Sequence, residues 1–139
     1  MMRTLISLLW AGVLLAAPSG ADFIEDREME PLLIEQQRRL VSVRRNEMTI
    51  PQFIDYYKTQ VASARTPRDS AKANFMLGQA NWEFEDLAKS RESYTTALGA
   101  FPRFPLCHIA LAKLAIRARS IEGARSHAWA ALELEPEYT

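Results

Sequence analysis

Cys107 and His108 stand side by side. A thiol beside an imidazole is the beginning of a nucleophile, because the ring can take the thiol proton. Neighbouring residues of a helix point about 100° apart, however, so within a helix these two cannot act on each other. Cys107 is therefore expected to be a small buried thiol. The other reactive residues offer no better start. His108 and His127 are isolated, and no cluster of ligands supports a metal. Glu83 and Glu85 read as solvated carboxylates at a helix end. The sequence holds no Gly-rich phosphate loop, H-E-x-x-H, C-x-x-C or nucleophile elbow. The chain is expected not to be an enzyme and to need no cofactor.

The elements that carry these residues belong to one modest domain. The chain has 139 residues, 48 % of them apolar, enough for a packed core. Seventeen basic and 17 acidic residues balance, which removes the electrostatic case for a nucleic-acid partner. With a single cysteine no internal disulfide can form, so stability must come from apolar burial.

The first 21 residues read as a signal peptide. Arg3 precedes an apolar run from Leu5 to Ala17, and Ser19 and Ala21 stand where signal peptidase needs small residues. That run is shorter than the roughly 20 residues a membrane-crossing helix requires. The expectation is an exported protein, periplasmic or extracellular, with no stable membrane insertion after cleavage before Asp22. No nucleic-acid ligand is expected on the same ground, since export and balanced charge both count against helical repeats that read RNA.

A longer pattern organises the rest. "YTTALGAFP" (94–102) ends like "AWAALELEP" (128–136), with alanine five residues before proline in both. Laying 71–104 over 105–138 puts Leu77 on Leu111, Gly78 on Ala112, Ser90 on Ala124, Ala97 on Ala131 and Pro102 on Pro136. Each unit reads as two helices. The first starts near Ser70, capped by Asp69 or Ser70, and "EDL" links it to a second that Pro102 stops. In the next unit Pro105 opens the first helix and "RSIEG" makes the bend. The small residues then have a purpose. Gly78, Ser90, Ala97 and their counterparts let antiparallel helices approach closely, while Leu77, Leu111 and Tyr94 fill the space beside them.

These residues resemble the tetratricopeptide repeat family, whose 34-residue unit carries W-x2-L-G-x2-Y, A-x3-F, an alanine and a proline. Leu77-Gly78 and Leu111-Ala112 match the Leu-Gly step, and Ser90 with Tyr94 matches the alanine–aromatic pair. Asn74 and His108 depart from the tryptophan position, Asn81 and Ala115 from the tyrosine position, and Ala128 replaces the second aromatic. The resemblance covers about half the chain. It implies an all-α fold of antiparallel helix-turn-helix repeats stacked as a short right-handed superhelix. It also implies a partner-binding concave face lined by the first helix of each unit. The matching positions are Lys72, Phe75, Gln79, Trp82 and Glu83, then Leu106, Ile109, Lys113, Ile116 and Arg117. Such a face suits a peptide or helix of another protein, although Phe75, Ile109 and Ile116 can equally pack between units. Only Lys72 and Lys113 resemble the family's carboxylate clamp, so recognition of a free C-terminus is not supported.

Residues 22–69 are expected to form a helical hairpin, either a cap or a degenerate repeat. Leu33, Gln37, Leu40 and Val43 make one stripe, and Phe53, Ile54, Tyr57, Val61 and Ala64 another. Thr49 caps the second helix, Pro51 lies in its first turn, and Thr66-Pro67 ends the pair. The arginine pairs at 38–39 and 44–45 read as a solvated helix face. No closing polar helix follows Pro136, so the array is expected to continue past Thr139 or to be covered there by a partner. Two functions follow: an exported protein–protein interaction module, or the N-terminal scaffold of a larger exported enzyme or assembly factor.

Overall fold

The computed structural model describes residues 23–134. The expected signal segment and the expected helix end at Pro136 lie outside the described residues. Within them the chain is an all-α helical repeat, with helices α1 (Asp26–Arg44), α2 (Ile50–Ser63), α3 (Pro67–Glu83), α4 (Leu87–Ala100), α5 (Pro105–Arg117) and α6 (Ile121–Leu134). Consecutive helices pack against each other, most extensively α3 with α4 and α5 with α6. The first pair is different. α1 and α2 touch only briefly, and α1 rests as much on α3 as on its own hairpin partner.

Local chemistry sets most helix ends. The Thr49 hydroxyl accepts from the Gln52 N–H while the Gln52 side chain accepts from the Thr49 N–H, a reciprocal capping box, and a proline follows the cap. Asp86 caps α4 by accepting from the Lys89 N–H. The turn at the end of each first helix is the same motif three times. Asn46, Glu85 and Arg119 take the left-handed conformation, with φ of 59°, 62° and 61°. The next residue then reaches back five positions: Glu47 N–H to Ser42 O (2.9 Å), Asp86 N–H to Asn81 O (3.0 Å) and Ser120 N–H to Ala115 O (2.8 Å). This is the Schellman closure, which satisfies carbonyls that the helix end leaves open. Glu85 and Arg119 are 34 residues apart, so the sequence interval is also a backbone interval.

Three sequence expectations are corrected. Helix α3 starts at Pro67, not near Ser70. Thr66 caps it, its hydroxyl accepting from the Asp69 N–H at 3.0 Å, so Thr66-Pro67 opens a helix instead of closing one. This adds one turn, 17 residues against 13 in α5. α6 starts at Ile121, so only Arg119 and Ser120 of "RSIEG" make the bend. In α1 the buried stripe is Met29, Gln36 and Leu40, and Gln37 faces solvent. Gln36 is shielded because its side-chain amide donates to Met76 O of α3 (3.0 Å), which offsets the cost of burying it.

The core runs through all three hairpins. Phe53 packs edge-on against Tyr57 and Phe84, with centroids 5.2 and 5.4 Å away. Phe75 lies between Tyr94 (5.4 Å) and Phe104 (5.2 Å). At Gly78 α3 and α4 come into close contact: a Cβ built there would lie 2.6 Å from the Tyr94 ring, and the Ser90 hydroxyl donates to Gly78 O at 2.9 Å. Ala97 is fully buried in the same contact. In the next unit the two positions are Ala112 and Ala128. Where the aromatic is lost, the glycine is no longer needed.

A short strap ties the beginning of the described chain to its third hairpin. Ile24 is fully buried, and its N–H donates to Arg103 O in the α4–α5 turn (2.9 Å). Arg68, at the start of α3, donates to Phe23 O (3.2 Å) and forms a fork on both Glu28 oxygens (2.7 Å each). Its guanidinium also lies over the Phe101 ring, 5.0 Å from the centroid. Glu28–Arg68 and Gln36–Met76 share one offset of 40 residues, so α1 runs parallel to α3.

Candidate partner-binding face

The first helices α3 and α5, with Tyr94 of α4 behind them, enclose a hollow of about 160 Å³. Seven of the ten residues that the repeat register places on the concave face line it: Phe75, Gln79, Trp82, Glu83, Leu106, Ile109 and Lys113. Tyr94 and Ala110 complete the wall. Phe75, Trp82 and Ile109 give the hollow apolar walls, but polar surface predominates, and its charged groups are one anion, Glu83, and one cation, Lys113. Gln79 is held in place because the Tyr94 hydroxyl donates to its side-chain oxygen. Burial drives the Tyr94 phenol far above its ordinary range, so at neutral pH it remains a donor.

The remaining assignments divide. Phe75 is a core residue, 1 % exposed, and meets the hollow only as its floor. Lys72 lines a different crevice of about 440 Å³ between α1, α2 and α3, with Tyr56, Tyr57, Leu32 and Met76. Arg117 stands next to the hollow. Its guanidinium lies 5.2 Å from the Trp82 ring centroid and donates to Glu85 at 3.0 Å. Glu85 thus occupies the Arg117 guanidinium, whereas Lys113 lines the hollow itself. Ile116, the counterpart of Trp82, is 66 % exposed and touches no such cover.

Cys107 follows expectation. It is fully buried, its Sγ–H donates to Tyr94 O (3.3 Å), and burial pushes its thiol well above the usual thiol range. A thiolate nucleophile is unavailable there. The two histidines do not follow expectation. Far from isolated, His108 and His127 face each other with Nδ1 atoms 3.4 Å apart across the α5–α6 hairpin, and His108 Nε2 lies 3.1 Å from Pro102 O. They are 19 residues apart on two helices, and the repeat register brings no attention to the pair. The described residues hold no group of three or more His, Cys, Asp or Glu side chains suited to a metal. None of the described helices is long and apolar enough to cross a membrane.

At the last hairpin, Ile116 (66 %), Ile121 (74 %) and Trp129 (61 %) expose large apolar side chains. Compared with protein families, with curated proteins and with solved structures, the chain matches none.

Proposed function

We propose that this chain is a tetratricopeptide-like interaction module, exported after cleavage of residues 1–21, that holds a peptide or helix of a partner protein against α3 and α5. The observation that carries the reading is the convergence of Gln79, Trp82, Glu83, Ile109 and Lys113 on one hollow. Aromatic and aliphatic side chains beside hydrogen-bonding and charged groups suit recognition of a peptide through both its backbone and its side chains. Trp82 is the expected energetic centre, because aromatic residues dominate interface hot spots. The test is a comparison of wild type with Trp82→Ala and Lys113→Ala in a pull-down from envelope extract, with circular dichroism to establish folding. Folded Trp82→Ala should lose the partner, and Lys113→Ala should weaken capture in a salt-sensitive way. A folded Trp82→Ala that retains every partner removes this face from consideration.

A second reading draws support from Ile116, Ile121 and Trp129. Apolar exposure of that kind suits a surface that a further helix pair would cover. On that reading the hairpins are the scaffold of a larger exported enzyme or assembly factor. The reading frame beyond the codon for Thr139 distinguishes the two.

A further inference from the structure

The histidine pair has a directional hydrogen-bond order. The Pro102 carbonyl can only accept, so His108 Nε2 carries the proton and donates to it. His108 Nδ1 then offers a lone pair, and the His127 Nδ1–H is the donor that fills it. The chain Nδ1–H of His127 to Nδ1 of His108, then Nε2–H of His108 to Pro102 O, links α6, α5 and the α4–α5 turn. The link matters most for α6. Among its described residues only Ala131 is buried, and Ile121 and Trp129 face solvent. With so little apolar burial, a polar connection supplies a larger share of what holds that helix down.

We propose that His108 and His127 are an acid-sensitive clasp that fastens α6 to the rest of the array and releases it when both rings are protonated. The first proton enters at His127 Nε2 and leaves the link intact, because His127 Nδ1–H still donates. The second must enter at His108 Nδ1, the atom that accepts this bond, and it sets two imidazolium rings against each other. Among the described residues, none of the groups that act on either ring is a carboxylate. The charged group that acts on the pair from α4 is Arg91, a third cation, and the turn contributes the neutral Pro102 carbonyl. Both rings are held below the ordinary histidine range, His108 by burial and His127 by burial, then by His108 and Arg91. The neutral forms therefore belong to the closed state. Its advantage is complete above the unperturbed value near 6.5 and is lost as pH falls below it. Each histidine that takes its proton only after opening shifts the closed-to-open ratio about tenfold per pH unit, and two shift it about a hundredfold. Arg91 and the presence of only two ligands argue against a metal ion as the natural occupant.

The test is long-range ¹H–¹⁵N NMR of the imidazoles through a pH titration, together with amide exchange, on the whole protein. Above pH 7, His108 should be the Nε2–H tautomer and His127 the Nδ1–H tautomer. His127 should titrate first, His108 later, and both below about 6.5. Between pH 6.5 and 5, amides of α6 should lose protection relative to those of α3. His127→Gln, whose carboxamide can donate to neutral His108 Nδ1 and, flipped, accept from its protonated form without adding a charge, should abolish that pH dependence. Two independent titrations near the unperturbed value, unchanged α6 protection, or a His127→Gln protein with the wild-type profile would each overturn the proposal. The tautomers and the titration are read on wild type, so they decide the matter even if the variant fails to fold.

Discussion

The ring of Tyr94 lies directly on the backbone of Gly78, so close that the first carbon of any side chain would fall 2.6 Å from two ring atoms. Glycine in a helix interior is ordinarily about 1 kcal/mol worse than alanine. Here the sign reverses. Gly78→Ala should destabilise the protein by about 1–3 kcal/mol, the usual range for overpacking. In a Tyr94→Ala background the same change should be harmless or stabilising, because the second unit already carries that combination as Ala112 and Ala128. A double-mutant cycle by urea denaturation measures the coupling, and additive effects would contradict this crossing.

Ala97 and Thr95 provide a contrast of faces on one helix. Ala97 is 0 % exposed at the α3–α4 contact, and Thr95 faces solvent. Ala97→Leu should cost about 1–3 kcal/mol, and Thr95→Leu about 0.5 kcal/mol or less. Thermal melts of the two variants give the comparison, and equal shifts would count against the paired-helix packing.

Glu28 should contribute an acid-sensitive element at the other end of the chain. Burial alone would raise its pKa, but the Glu25 N–H and the Arg68 guanidinium together outweigh burial and hold it below the usual carboxylate range. The stabilisation is therefore present above the ordinary glutamate value and lost as pH falls through the folded one. Glu28→Gln should flatten this acid limb of the stability curve and lower stability at neutral pH. A pH series of chemical melts measures both.

Cys107 should be silent towards thiol reagents in the folded protein. Its buried, protonated Sγ has neither access nor a thiolate to offer. Reaction with a disulfide reagent at pH 8 should proceed only at the rate of unfolding. Rapid labelling of native protein would show that the α4–α5 contact opens far more readily than its packing implies.

Local signals were legible in the sequence and long-range ones were not. Thr49, Pro51, Pro102 and Pro105 act on their own neighbourhood, and their turns were readable at once. Pro67 was misread because a proline just after one helix and a proline in the first turn of the next look alike without the Thr66 cap bond. The stripe of α1 slipped by one residue at Gln36 because its buried face is set by docking on Met76 O, 40 residues away, and not by its own periodicity. The 34-residue register anticipated a close approach at Gly78 and Ser90, although it set Tyr94 beside that contact and not on the glycine, and it grouped most of the residues around the hollow. It gave no hint of the His108–His127 contact, since His108 figured only as a departure at the tryptophan position and His127 stands at no motif position. Nor did it separate Arg117 from Lys113, which only the position of Glu85 makes distinct.

Linear repeat arrays usually unfold piecemeal, because each unit touches only its neighbours and the ends can fray independently. The bond from Ile24 to Arg103 O breaks that nearest-neighbour rule, since it joins the first described residues to the turn that opens the third hairpin. The chain from Ile24 to Arg103 is thereby closed into a loop of about 80 residues, and undoing either of the first two hairpins disturbs both ends of the loop. The melting of these four helices should consequently be a single concerted transition, in contrast to the graded unravelling of an open stack, and deletion of Phe23 and Ile24 should broaden it.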